Sequence, residues 1–176
     1  IERDQNRVDL IFKIDEGPLA SINKVNFVGN KHYSDDDLQS EIMSKESRWY
    51  RIFSSAENYD SEKTNYDKEL LRRFYFKRGY ADFRVVSAVA ELSPDKKSFV
   101  LTFVLDEGKR YKIRSLDIIS DIADVDTAAL KPAVQLETGD WYNADKVEKS
   151  VTALTDELGK KGFAFVAVSY THLRAH

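Results

Sequence analysis

Three groups of side chains in this 176-residue sequence have types that support chemistry, and their spacing decides against each. Asp35, Asp36 and Asp37 are carboxylates suited to a hard cation, but successive helical positions point about 100 degrees apart and do not converge on one ion. Following Ser34, they read instead as the capped, acidic first turn of a helix. His32 stands beside the Gly29-Asn30 turn without a serine, cysteine or second histidine in a recognisable arrangement, and reads as a surface turn residue. The sequence has no cysteine, which removes disulfides, thiolate metal sites and cysteine nucleophiles together. No acid, base and nucleophile set emerges, so neither catalysis, a metal nor a cofactor is expected. Arg72, Arg73, Lys77 and Arg78 form a basic cluster, yet the net charge is −3 and the pI near 5.7. That balance argues against a nucleic-acid partner. The cluster falls at the carboxyl end of a predicted helix, where positive charge complements the dipole.

What remains is the chemistry of exposed backbone, and its position depends on the elements. With 42% hydrophobic residues, 32% charged residues and 21 aromatics, the chain has the material for a core and is too aromatic for a disordered tail. No apolar run approaches the roughly 18 residues of a membrane-spanning helix. Ala20 to Val28 reads as a strand, closed by the Gly29-Asn30 turn. A short helix follows from Ser34 to near Met43, with Leu38 and Ile42 on one face. Asp60 can cap a second helix in which Tyr66, Leu70 and Phe74 repeat at four and Leu71 widens the stripe, and Gly79 stops it. Phe83 to Leu92 and Ser98 to Asp106 read as a hairpin around Ser93-Pro94-Asp95-Lys96. Phe99 to Leu105 is apolar on both faces, so the last strand is expected at the centre of the sheet and Phe83 to Leu92, with Arg84, Ser87 and Glu91, at its edge.

This order recurs. Asp15-Glu16-Gly17 and Asp106-Glu107-Gly108 both close apolar strands, Trp49-Tyr50 is answered by Trp141-Tyr142, and Lys77-Arg78-Gly79-Tyr80-Ala81 by Lys160-Lys161-Gly162-Phe163-Ala164. The differing offsets make Arg51 to Tyr59 an insertion in the first copy. In the second copy, Tyr111 to Ile119 reads as a strand, Thr127 to Val134 as a short helical piece disturbed by Pro132, Asn143 as the cap of a helix, and Phe163 to about Ser169 as a strand. The expected division is 1–17, the closing strand of a preceding domain; 18–108, a complete domain; 109–168, a domain cut before its central strand; and 169–176, a non-native tail.

The order of elements, the Gly29-Asn30 turn, the Arg78-Gly79-Tyr80-Ala81 helix stop, the Ser93-Pro94-Asp95-Lys96-Lys97 hairpin and the Asp-Glu-Gly strand ends together resemble the POTRA domains of the outer-membrane protein assembly factors called BamA. The resemblance runs from Val8 to about Val168, and is similar in order to the end of a second, the whole of a third and part of a fourth such domain. It implies an α+β fold of tandem modules, each β-α-α-β-β, with a three-stranded mixed sheet covered on one face by two helices. It also implies a non-catalytic periplasmic scaffold and client-binding arm at the outer membrane, joined to a barrel domain absent from this chain. The partners it implies are unfolded outer-membrane proteins and accessory assembly lipoproteins, bound by strand addition at sheet edges. Alternatives are the POTRA arm of a two-partner secretion or other translocation pore and a septal cell-division scaffold; tandem copies argue against the last.

Carried over by position, the matching edge strand is Phe83, Arg84, Val85, Val86, Ser87, Ala88, Val89 and Ala90, beside the helix of Leu70, Leu71 and Phe74. The plainer expectation is that Phe83, Val85 and Val89 simply pack inward while the edge stays solvated. Trp49, Tyr50 and Phe53 form a second candidate, an aromatic client-contact loop if exposed and a lid on the core if buried.

Overall fold

The computed structural model describes residues 11–13, 19–44, 49–51, 61–94, 97–122, 124–163 and 166–170. Its first strand, β1 (Leu19–Val28), leads through the Gly29 turn into helix α1 (Asp35–Glu41). The helix begins there because Ser34 and Asp37 cap each other: the Asp37 amide donates to Ser34 Oγ at 3.2 Å, and the Ser34 amide to the Asp37 carboxylate at 3.0 Å. This explains the acidic run as a helix start; among the described residues no group of three or more His, Asp or Glu side chains is placed to hold a metal ion. A short strand β2 (Trp49–Arg51) precedes α2 (Ser61–Phe76), and β3 (Arg84–Leu92) and β4 (Ser98–Asp106) complete the first module.

β4 runs parallel to β1 on one side and antiparallel to β3 on the other, and β2 adds antiparallel to the free side of β1. The fold is thus α+β, a three-stranded mixed sheet with helices, extended by three residues of β2. The central place of β4 and the edge place of β3 are as the apolar run predicted, although the two faces of β4 differ. Phe99, Leu101, Phe103 and Leu105 are buried, while Val100, Thr102 and Val104 on the other face are half-buried. Both helices cover the first of these faces, where Leu38, Ile42, Leu71, Phe74 and Tyr75 join the strand residues in one core.

The buried face of α2 is rotated from the predicted stripe. Tyr66 is 56% exposed, and Thr64 and Asp67 are buried alongside Leu71, Phe74 and Tyr75. Asp67 is inside because its carboxylate accepts the Met43 and Ser44 amides, at 2.7 and 3.3 Å, which follow the end of α1. A hydrophobic periodicity counts an aspartate as a surface residue and so turns the face outward. The cap predicted at Asp60 lies outside the described residues.

In the second half, Asn143 caps α3 (Ala144–Lys160), accepting the Lys146 amide at 3.1 Å, and Leu154 and Leu158 pack on Leu130. Pro132 sits in a 3-10 turn (Ala128–Ala133) rather than an α-helix, as its missing N–H and ring predict. Among the described residues of the tracts expected as strands, Tyr111 to Ile119 and after Gly162, there is no strand but one isolated bridge, Lys112 to Trp141. In the first module β1 and β3 each pair with β4, not with one another. Among the described residues their counterparts have no central strand beside them, and a strand pattern without a ladder does not hold an extended backbone.

Candidate functional site: the β3 edge and its anchor

Among the described residues β3 pairs with β4 alone, along one side. At the hairpin, the Ser93 amide donates to the Ser98 carbonyl at 2.8 Å. Counting back by twos along the register, Glu91, Val89 and Ser87 direct their backbone groups at Val100, Thr102 and Val104. The alternation leaves the backbone N–H and C=O of Ala88, Ala90 and Leu92 facing away from β4, towards the free edge.

The register slips by one residue between Val85 and Ser87, so Val86 is a bulge. Its effect on the faces is direct. Val85 and Ala88, three positions apart, both pack on the core with Ala90, whereas Val86 and Val89 are 58% and 49% exposed. Of the residues expected to point inward, Phe83 and Val85 do so and Val89 does not, because the extra residue reverses the alternation. Phe83 itself precedes the strand and is buried, its ring stacked on Tyr75 with centroids 4.0 Å apart. It anchors the strand rather than forming part of its edge. Arg84 pairs with Asp106 across the ladder at 2.9 Å, an exposed pair that fixes geometry more than it stabilises. Leu71 and Phe74 of the adjoining helix are core residues, and Leu70 is half-buried.

The anchor reaches further, to a residue that sequence reading used only as a repeat marker. Glu107, just past β4, is 4% exposed. Its Oε1 accepts the Lys31 amide at 3.0 Å, the His32 amide at 3.2 Å and the Tyr75 hydroxyl at 2.8 Å, and its Oε2 meets His32 Nδ1 at 2.6 Å. A carboxylate only accepts, so His32 Nδ1 carries the proton. His32 is therefore not the lone turn residue its sequence setting suggested; its ring also lies 5.4 Å from that of Tyr80. Burial pushes the Glu107 carboxyl up, but the bonds from the His32 ring, the Tyr75 hydroxyl and the two amides outweigh it and hold the group below the usual glutamate range. Burial, and then the bond to Glu107, push the Tyr75 phenol far up. One carboxylate thus ties the Gly29 turn, α2 and, through the Tyr75 ring, Phe83, the residue just before β3. The signal that marks it in sequence is the acid of Asp106-Glu107-Gly108 opposite a histidine in the turn, a pairing across 75 residues.

A depressed carboxylate has a pH consequence with a definite sign. The unfolded chain binds the proton at the ordinary glutamate value, about 4.3, before the folded chain does. Stability from Glu107 is then fully present above that value and is lost as pH falls through the lower folded one. Asp37 and Asp106, lowered chiefly by their bonds to Ser34 and Arg84, add in the same direction. Urea midpoints measured from pH 7 to pH 3 should fall with acid, and less steeply in Glu107→Gln; an equal slope in that variant would remove Glu107 from the account.

The second candidate is placed differently from its sequence reading. Trp49 and Tyr50 lie in strand β2, opposite Ser21 and Ala20 of β1, not in a loop; Phe53 lies outside the described residues. The repeat explains it: Trp141, the counterpart of Trp49, bridges Lys112 in the same antiparallel way. The Trp-Tyr pair is where each module's chain returns to its first strand.

The family pattern for POTRA, surface antigen variable number repeat, matches residues 20–108 and 111–174. The outer membrane protein assembly factor BamA of Neorickettsia risticii is 32% identical over 165 residues, 94% of this chain and 22% of its own length. BamA of Neisseria meningitidis is 27% identical over 94% of this chain and 21% of its own. The chain spans about a fifth of the length of these curated relatives. Its fold is similar to the crystal structure of POTRA domains 3–5 of Haemophilus influenzae BamA, with a TM-score of 0.72 and 22% identity over 85% of this chain and 58% of that one. With a family match across most of its residues, in two tandem segments, the chain belongs to the POTRA family.

Proposed function

We propose that this chain is part of the periplasmic arm of an outer-membrane protein assembly factor, without catalysis of its own, and that it receives extended polypeptide by strand addition at β3. The observation that carries the reading is the free margin of β3: outward backbone groups at Ala88, Ala90 and Leu92, flanked by the exposed apolar side chains of Val86 and Val89. Backbone pairing tolerates many sequences, and the two valines add a preference for apolar side chains on one face of the incoming strand. The clients are unfolded outer-membrane proteins, and accessory lipoproteins dock on the same arm. The bulge at Val86 shortens the usable edge to Ser87 through Leu92, which limits uncontrolled edge-to-edge pairing. On this reading 18–108 is a complete module and 109–168 a second one lacking its central strand, and the barrel lies outside this chain.

The test is a proline at Ala88. Its N–H points to the free edge, so proline there removes an outward donor and places its ring in the path of a partner, while a proline at Ser87 would break an internal bond to β4. Titrated with a synthetic barrel-strand peptide of alternating apolar and polar residues, the unaltered chain should show amide shifts at Ala88, Ala90 and Leu92. Ala88→Pro should weaken binding about tenfold, the worth of one lost backbone bond and its neighbours' misalignment. Equal affinity in the two proteins would move the site away from β3.

A further inference from the structure

The residues between the two modules are hydrogen-bonded on both sides. Towards the first module, the Tyr111 amide donates to the Gly79 carbonyl at 2.9 Å, Arg110 Nε donates to the Arg78 carbonyl at 2.7 Å, and the Tyr111 hydroxyl bonds the Asp82 carboxylate. Towards the second, the Tyr142 amide donates to the Tyr111 carbonyl at 3.0 Å, and Ile113 exchanges bonds of 2.8 Å with Asp140 and Gly139. A flexible linker leaves such groups to water. The Arg110 guanidinium lies 4.0 Å above the Trp141 ring and 5.9 Å from the Tyr80 ring, so one planar cation faces an aromatic from each module.

The turn that ends α2 is shaped for this contact. Gly79 has a φ of +100°, and a Cβ there would come 2.9 Å from Arg110 Cγ. The glycine is needed twice, for the left-handed turn and for the side chain laid across it. Lys77, just past α2, and Asp145 of α3 add an ion pair of 2.9 Å, beside a cleft of about 910 Å³ between the two helices.

We infer that Arg110 and Tyr111 act as positioning residues that clamp the two modules into one rigid body, with the Arg78-Gly79 turn as receptor. Neighbouring domains move relative to one another by default unless their contact is extensive; here the four-residue segment from Arg110 to Ile113, shared by both, replaces area with directional bonds. The clamp holds Asp82, one residue before the anchor Phe83, so β3 and α3 keep a constant relation and the cleft between α2 and α3 keeps its width. The inference does not depend on what β3 binds.

The absence of cysteine allows clean double labelling. Spin labels at Glu62→Cys on α2 and Thr155→Cys on α3, both exposed sites, would report the inter-module distance by pulsed electron resonance. The unaltered chain should give one narrow distance distribution, and Arg110→Ala combined with Tyr111→Phe one roughly twice as wide. Arg110→Lys, which keeps the charge and loses the planar stack, should fall between them. A distribution as broad in the unaltered chain as in the double variant overturns the clamp. Should the double variant lose helicity by circular dichroism, Tyr111→Phe alone decides: its ring stays in place, and an unchanged width would overturn the role of the Tyr111 to Asp82 bond and with it the proposal.

Discussion

Replacing Glu107 by alanine should destabilise the first module by about 3 kcal/mol, close to the cost of breaking a buried, multiply bonded charge site. The expectation follows from what is left behind. The Tyr75 ring is fully buried and its hydroxyl has Glu107 as acceptor, and the Lys31 and His32 amides converge on the same oxygen. Alanine orphans these donors and opens a void beneath the Gly29 turn. Glu107→Gln should cost less, about 1 to 2 kcal/mol, because an amide oxygen still accepts at the Oε1 position and a neutral His32 can present Nδ1 as an acceptor instead. Urea unfolding at pH 7 measures both. Costs for alanine and glutamine that are equal, or an alanine cost within ~0.5 kcal/mol of zero, would mean that the hub does not hold the module.

The second large effect belongs to Gly29. Its φ is +95°, and a Cβ at this position would sit 2.1 Å from the Leu105 carbonyl oxygen, which is backbone of the central strand. Alanine there faces the left-handed penalty of about 1 to 2 kcal/mol, and also a contact that only separation of β1 from β4 relieves. Gly29→Ala should therefore cost about 3 kcal/mol or more. Gly139 supplies an internal control, since it has the same φ of +95° and nothing within 4 Å of its would-be Cβ. Gly139→Ala should show the conformational penalty alone. Amide exchange followed in each module reads the two separately; equal costs would show that the strands yield to the extra carbon.

Both predictions rest on contacts distant in sequence, and this is where sequence reading stopped. The succession of elements, the Ser34 cap and the central and edge places of β4 and β3 were legible because each follows from a local pattern: a periodicity, a capping residue, a run apolar on both faces. The β3 candidate site was legible as a strand and not as a surface. A bulge at Val86 leaves no mark in a run of Val, Ser and Ala, yet it decides that Val89 lies on the opposite face from Phe83 and Val85. The aromatic pair Trp49-Tyr50 was visible as a repeat, but its pairing with β1 depends on where the chain returns after α1.

By itself, the sequence determined the order of elements in the first module, the tandem repeat and the absence of thiols, since composition and short-range spacing settle these. Only the tertiary structure decided which carboxylates are interior, which backbone groups of β3 face away from β4, and that the described residues of the strand-like tracts after Glu107 form no ladder. The physical reason is common to all three: burial of a charge and pairing of a strand depend on partners brought together by folding, and hydrophobic pattern alone carries no record of a polar partner or of a missing neighbour.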